Sequence, residues 1–144
     1  MKPLIRAATA SDLEAVGALL EAAHLPTADL RSARPAFLVA TAGAELAGAG
    51  ALEIYAGAAL LRSLVIAPQW RGRGLGHQLV KSLERQARAA HVYQIVLLTQ
   101  TAREFFTRLD YRVIERAEAP AAVQASQEFA ALCPASAVCL SKSL

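Results

Sequence analysis

The first half of the chain alternates between short apolar runs and turn residues, with one amphipathic segment near its start. Residues 4–7 are strand-like, and apolar residues at helical spacing predict a helix over residues 10–23. Three apolar runs follow, at residues 36–41, 46–55 and 59–67, and short turns join them. Successive strands with such short connections predict an antiparallel meander.

The second half of the chain differs because helical and strand-like segments alternate. Apolar residues on one face predict a helix over residues 75–90. The apolar run at 92–99 is reached through that helix, so it should lie parallel to the strand before it. The remaining pattern predicts a helix at 101–109, a strand at 111–115, a helix at 120–132 and a strand at 135–140. The expected fold is one mixed α/β domain over residues 1–144, with about seven strands and four helices.

The turn before the long helix is rich in glycine and arginine, with the sequence Arg71-Gly72-Arg73-Gly74-Leu75-Gly76. A strand, a glycine-rich turn and a helix place unpaired N–H groups at the positive end of a helix dipole, where phosphate binds. No Lys-Ser/Thr pair directly follows the last glycine, Gly76, and residue 79 is leucine, so Walker A and Gly-x-Gly-x-x-Gly loops are excluded. We therefore predict that the turn binds the pyrophosphate of a nucleotide-bearing cofactor.

Composition and charge limit the classes of function. The 144 residues are 55% hydrophobic with a net charge of +3, and no basic stripe interleaved with aromatics indicates nucleic-acid binding. No apolar run is long enough to span a membrane, and the polar N-terminus lacks a signal peptide, so we expect a soluble, cytoplasmic protein. Two cysteines, Cys133 and Cys139, have no nearby histidines, and we predict no metal site.

Three stretches carry a resemblance to a known family. Residues 64–76 resemble the acetyl-CoA-binding motif of the GNAT superfamily of N-acetyltransferases. Residues 5–13 resemble the first strand and helix entry of that family, and residues 105–111 resemble its Phe-Tyr-x-x-x-Gly-Phe segment. The resemblance implies the GNAT fold, acetyl-CoA as co-substrate and direct attack by an amine on the thioester. It places the pantetheine arm along Val65, Ile66 and Ala67, and the phosphates on the backbone of Arg71, Gly72, Arg73, Gly74, Leu75, Gly76 and His77.

Further stretches narrow the resemblance. Residues 50–55, 60–64 and 129–137 resemble the small GNAT acetyltransferases associated with arsenic-resistance gene clusters. Residues 97–99, together with Phe105 and Phe106, are similar to the acetyltransferase domain of N-acetylglutamate synthases. These likenesses imply a small-molecule, amino-acid-like amine as the acceptor.

Four residues are candidates for chemistry at the acceptor. Glu53 is the preferred base, although a carboxylate in a strand can also be solvated; alternation places it beside Tyr55. Arg62 is predicted either to bind a substrate carboxylate or to pair with Glu53, with Ser63 on the opposite face. Thr99 ends a strand where ligands bind, or caps the next helix. His24 precedes a proline-containing loop at 26–35, a kind of segment that often covers a substrate site, although a histidine at a helix end is more commonly structural.

One position departs from the family. The tyrosine that often protonates the leaving thiolate in this family is replaced by Phe106. Either Thr99, Ser136 or water would protonate the thiolate instead, or the reaction needs no general acid. This substitution leaves open a CoA-binding sensor or a catalytically silent GNAT domain, besides a protein lysine or N-terminal acetyltransferase. The alanine-rich C-terminal segment favours a homodimer.

Overall fold

The computed structural model describes residues 2–32, 34–132 and 134–144. Its strands are β1 (Leu4–Ala7), β2 (Ala36–Ala42), β3 (Glu45–Ile54), β4 (Ala58–Ile66), β5 (Gln94–Thr99), β6 (Arg112–Ile114) and β7 (Val138–Ser143). They form one seven-stranded sheet in the order β1-β2-β3-β4-β5-β7-β6. The predicted antiparallel meander, β1 to β4, and the parallel pairing of β4 with β5 are both confirmed.

The helices are α1 (Leu13–Ala22), α2 (Leu75–Ala89), α3 (Arg103–Thr107) and α4 (Ala121–Gln124). Single 3-10 turns lie at Ala10–Asp12, Pro68–Trp70 and Arg116–Glu118, and a π-helical turn lies at Glu128–Leu132. No helix of the described residues is long and apolar enough to cross a membrane.

The prediction of one helix over residues 120–132 is wrong. The α-helix ends after Gln124, and a separate π-helical turn begins at Glu128. Between them, the Ser126 hydroxyl oxygen accepts the backbone N–H of Phe129 at 3.3 Å. A serine hydroxyl that accepts a nearby backbone N–H offers it an alternative to the helical ladder, which helical periodicity does not reveal. The last strand also starts and ends three residues later than predicted, at Val138–Ser143.

β4 and β5 diverge soon after they begin. Their parallel ladder covers three residue pairs, from Ala58 with Gln94 to Leu60 with Val96. Beyond these pairs β4 continues beside β3, while β5 continues beside β7. The sheet therefore opens between the C-terminal halves of two adjacent parallel strands.

A β-bulge interrupts β4 at Ser63. The register with β3 shifts between Ala49, opposite Val65, and Ala51, opposite Arg62. Ser63 has a φ of +57°, a left-handed conformation that is costly for a residue with a side chain. The bulge also corrects the predicted alternation: Nε of Arg62 donates to the hydroxyl of Ser63 at 3.1 Å, so the two side chains meet instead of facing apart.

The two faces of the sheet carry different helices. Leu52 and Leu61 belong to an apolar cluster with α2, whereas Ala51 packs in a cluster with α1 and Leu60 in one with α4. Because neighbouring residues of a strand point to opposite faces, α1 and α4 share the face opposite α2. Glu53 and Arg62 lie on the α1/α4 face, since each is two residues from Ala51 or Leu60 on its own strand.

Candidate active site

The turn that precedes α2 has uncrowded glycines and backbone N–H groups that are available to an anion. Gly72 and Gly74 have φ values of +77° and +81°, and a Cβ added to either would meet no atom within 4 Å. Within the described residues, no side chain caps α2, and the amide N–H groups from Gly72 to His77 have no intramolecular acceptor. Unpaired amides at the positive end of a 15-residue helix form a site for phosphate.

The basic side chains of the turn are exposed. Nε of Arg71 donates to the carbonyl of Ile66 at 3.2 Å, and the guanidinium of Arg73 lies 4.9 Å from the centre of the Trp70 ring. Trp70 itself donates to Glu45 at 2.9 Å. Both arginines thus stay beside the free amides, so the turn fits a pyrophosphate in shape and in charge.

Gly76 also has a packing role. A Cβ at this position would lie 3.2 Å from the ring of Phe105, so the missing side chain lets α3 pack against the first turn of α2. Its φ is not in the left-handed region, in contrast to those of Gly72 and Gly74. The close approach that Gly76 permits in this structure is to an aromatic ring.

A buried guanidinium lies on the opposite face of the sheet. Arg62 donates to both oxygens of Asp29, at 2.5 and 2.6 Å, and to Oε2 of Glu53 at 2.7 Å. Glu128 approaches its Nε at 3.7 Å. Burial alone would lower the pKa of Arg62, but the hydrogen bonds to Asp29 and Glu53 raise it well above its ordinary value, so the guanidinium stays charged.

Carboxylates outnumber the guanidinium among the described residues of this cluster. Three carboxylates, those of Asp29, Glu53 and Glu128, surround one guanidinium, and all four side chains are at most 5% exposed. Charges are costly to bury unless they are paired, and each carboxylate charge beyond that of the guanidinium adds a negative potential to the adjoining space. A cationic group that entered this space would be stabilised.

A cavity of about 730 Å³ adjoins the cluster. It is bordered by the 26–35 loop, the end of β3, α4 and the segment after α4, through Asp29, Ser32, Arg34, Glu53, Tyr55, Ala122, Ala125, Ser126 and Gln127. The hydroxyl of Tyr55 donates to Oε1 of Glu53 at 2.6 Å, and the guanidinium of Arg34 lies 4.0 Å from the centre of the Tyr55 ring. Burial, followed by the bond to Glu53, raises the pKa of Tyr55, so its phenol is neutral. The volume suits a small molecule.

The acetyltransferase (GNAT) domain family matches residues 33–113, more than half of the chain. The chain belongs to the GNAT family. It is therefore an N-acetyltransferase, and acetyl-CoA is its co-substrate. A search of curated proteins found no match to this GNAT chain.

Solved structures share the GNAT fold along the whole chain. Rv2747 of Mycobacterium tuberculosis, crystallised with CoA and a second ligand, is 24% identical with a TM-score of 0.83, and 99% of each chain is covered. N-acetylglutamate synthase of Neisseria gonorrhoeae, complexed with coenzyme A and L-arginine, is 19% identical with a TM-score of 0.82. That match covers 99% of this chain and 33% of the synthase chain. The PaiA N-acetyltransferase of Thermoplasma acidophilum, with coenzyme A, is 16% identical with a TM-score of 0.75, and both chains are fully covered.

The structure brings some of the predicted site residues of this GNAT domain together. Glu53 borders the cavity, beside Tyr55 as alternation predicted. Val65, Ile66 and Ala67 lie where β4 has left β5, and they lead directly into the turn at residues 71–77. The predicted donor segment and the predicted base therefore lie at the same opening of the sheet.

Other predicted residues lie elsewhere. Arg62 does not border the cavity, and its N–H groups donate to Asp29, Glu53 and Ser63. Of the two alternatives for Arg62, the structure therefore shows the ion pair with Glu53 and does not support direct binding of a substrate carboxylate. His24 is exposed, has a φ of +59° just after α1, and does not border the cavity. Thr99 does not border it either; its Oγ1 accepts the N–H of Ala102 at 3.0 Å, which is the capping alternative.

Sequence reasoning missed several residues that border the cavity, among them Asp29, Arg34 and Ser126. Asp29 and Arg34 lie in the proline-containing loop, and their opposite charges were the signal in the sequence that could have indicated a role at the site. Ser126 lies in the segment that was mistaken for a continuous helix.

Phe106, at the position of the usual tyrosine, is a core residue. It is 4% exposed and packs edge-on against Phe105 and Tyr111, with ring centres 5.0 and 5.4 Å away. Ser136, named as an alternative acid, accepts a hydrogen bond from Gln100 at 3.1 Å on the surface. Neither residue borders the cavity.

Cys139 is the cysteine that the structure describes. Cys139 is buried, and burial raises the pKa of its thiol to about 11, whereas Cys133 lies outside the described residues. Among the described residues, no group of three or more His, Cys, Asp or Glu side chains could hold a metal ion.

Proposed function

We propose that this GNAT domain transfers the acetyl group of acetyl-CoA to the primary amine of a small, amino-acid-like acceptor bound in the cavity beside Glu53. The observation that carries this proposal is the position of Glu53. It is a buried carboxylate within a negatively charged cluster, it borders a cavity of small-molecule size, and it lies on the α1/α4 face near the divergence of β4 and β5.

In this proposal the donor binds along β4 and at the turn. The amides from Gly72 to His77 would hold the pyrophosphate, with Arg71 and Arg73 adding positive charge. The unpaired edge of β4 at Val65 to Ala67 would bind the pantetheine arm by backbone hydrogen bonds. Acetyl-CoA supplies a thioester, an acyl group with a good leaving thiolate. The opening between the strands would bring that group from the α2 side to the cavity.

The residues of the cavity prepare the amine for attack. The negative cluster favours entry of the acceptor as an ammonium ion. Glu53 then receives a proton from the ammonium, which leaves the neutral amine that can attack the thioester carbonyl. Tyr55 and Arg62 hold the two carboxylate oxygens of Glu53 in place. Positioning of this kind lowers the entropy cost of bringing the reactants together.

The class of acceptor is supported by the resemblances and by two similar structures. N-acetylglutamate synthase was crystallised with coenzyme A and N-acetyl-glutamate in one case and with L-arginine in another. Together with the likeness to acetyltransferases of arsenic-resistance clusters, this favours amino acids and their arsenic or phosphorus analogues as acceptors of this chain.

An amine panel tests the proposal. Purified protein is incubated with acetyl-CoA and single amines: amino acids, their arsenic and phosphorus analogues, polyamines, and peptides with a free N-terminus or a lysine. Release of free thiol measures turnover, and the mass of the acetylated amine identifies the product. Turnover of small amino-acid-like amines is expected. Preference for peptides would indicate a protein acetyltransferase, and acetyl-CoA binding without turnover of any amine would indicate a sensor; either result would overturn the proposal.

A further inference from the structure

We infer that Arg34 binds the α-carboxylate of the acceptor and thereby selects α-amino acids over other amines, an inference that rests on the proposed function. Resemblance and periodicity gave Arg34 no role. Its assignment comes from the charges around the cavity and from the way in which its guanidinium is held.

Arg34 is available for a ligand, whereas Arg62 is not. Arg62 is buried and bonded to Asp29 and Glu53. Arg34 is exposed, borders the cavity, and forms no ion pair with another described residue. It is also the one positively charged side chain among the described residues that border the cavity.

Tyr55 contacts Arg34 through its ring and through a side-chain hydrogen bond. The guanidinium carbon lies 4.0 Å from the centre of the ring, which is a cation–π contact. The N–H groups lie in the plane of the guanidinium, and two of them can donate in parallel to one carboxylate. A hydrogen bond to the single hydroxyl of Tyr55 engages one of the five N–H donors of a guanidinium, so Tyr55 orients Arg34 and leaves other donors for a carboxylate.

The same ring connects the two charged ends of the cavity. One side of Tyr55 contacts Arg34, and its hydroxyl donates to Glu53 at 2.6 Å. One phenol thus separates a guanidinium from a carboxylate cluster, a span that the ammonium and carboxylate of one small molecule can bridge. An α-amino acid would place its ammonium at Glu53 and its carboxylate at Arg34.

The remaining walls are uncharged. Ala122, Ala125, Ser126 and Gln127 line the side formed by α4 and the segment after it. They offer no further ionic partner for the acceptor side chain. Within the described lining, formally charged groups are therefore confined to the carboxylates of Asp29 and Glu53 and to the guanidinium of Arg34.

Paired ligands that differ only in the carboxylate test the inference. L-alanine, L-glutamine and L-methionine are each compared with their C-terminal amides, for binding to the CoA-bound protein by calorimetry and for acetylation by thiol release. The wild-type protein, Arg34→Ala and Arg34→Lys are measured. Arg31→Ala is the matched control, because Arg31 is an exposed arginine of the same loop that does not border the cavity.

Wild-type protein should bind at least one acid more tightly than its amide. Arg34→Ala should weaken binding of that acid, and raise its KM, by about tenfold or more, and Arg34→Lys should restore part of this loss because lysine cannot pair bidentately. The amides, the KM for acetyl-CoA and Arg31→Ala should be unaffected. The inference is wrong if acids never bind better than amides, or if Arg34→Ala weakens both equally. Neither result would contradict the proposed function, which fails if peptides are preferred or if no amine is acetylated.

Discussion

The hydroxyl of Tyr55 donates a 2.6 Å hydrogen bond to Oε1 of Glu53, while Arg62 donates to Oε2 at 2.7 Å. The two oxygens of this carboxylate are thus held by one neutral and one charged donor. Rotation of the carboxylate is restricted, and its remaining lone pairs are directed by its neighbours. A group held in this way can accept a proton without first reorganising.

Glu53→Gln should remove most turnover while leaving acetyl-CoA binding intact. Glutamine keeps the size of the side chain but cannot accept a proton, and loss of a general base costs roughly 10²- to 10⁴-fold in rate. Steady-state thiol release and calorimetry with acetyl-CoA measure the two effects. Glu21→Gln, on the exposed surface of α1, is the control and should behave as wild type. Undiminished turnover in Glu53→Gln would show that another group takes the proton.

Arg62→Met should destabilise the protein strongly. The substitution fills a similar volume but leaves the carboxylates of Asp29, Glu53 and Glu128 without their shared cation. Removal of one partner from a buried ion pair costs about 3–5 kcal/mol in free energy of unfolding. Urea denaturation followed by circular dichroism measures the loss. Arg108→Met, at an exposed position, should change stability by no more than about 0.5 kcal/mol. Equal effects of the two substitutions would show that the cluster is not a net stabilising pair.

Gly74→Ala and Gly43→Ala form a matched pair at positive φ. Both glycines, with φ values of +81° and +63°, have open space where a Cβ would lie, so alanine introduces backbone strain and no clash. Each variant should lose about 1 kcal/mol in free energy of unfolding. Only Gly74→Ala should raise the KM for acetyl-CoA, by about tenfold, because only its turn is proposed to contact the pyrophosphate. The assignment of the turn would be contradicted if the KM were unchanged in both.

The pair of Arg6 and Asp12 should give stability a small acid dependence. Hydrogen bonds from Arg6 and from the backbone of Thr9 hold the pKa of the Asp12 carboxyl well below its usual range. A lowered pKa in the folded state stabilises the protein above the unfolded value of about 3.9, and this contribution is lost as the pH falls through the folded value.

Asp12→Asn should therefore be slightly less stable than wild type at pH 7, and the difference should shrink as the pH falls below about 4. The effect is small because Arg6 is solvent-exposed and the pair is screened. Urea unfolding midpoints at a series of pH values measure it, and a difference that grew toward low pH would reverse the sign argued for Asp12.

Local sequence predicted the sheet and the position of the glycine-rich turn before α2 well, because both are encoded by nearby residues. The alternation in β2 to β4 and the glycine pattern at 72–76 need no knowledge of distant contacts. The residues around the cavity depend on contacts between distant parts of the chain, which local sequence patterns do not predict. Asp29 and Arg62 are 33 residues apart, and their pairing converts a predicted substrate ligand into a buried anchor. Alternation likewise fails at Ser63, where the bulge adds a residue.

The divergence of β4 and β5 also affects how the protein avoids aggregation. Strand edges with unpaired N–H and C=O groups can recruit strands of other molecules. Here the unpaired stretches of β4 and β5 face each other within one sheet, while the outer edge strands, β1 and β6, are only four and three residues long. The fold thus exposes little outer edge and turns its longer unpaired stretches inward. A gap of this kind admits a slender, flexible arm, such as the pantetheine arm proposed to bind there, more readily than a foreign β-strand.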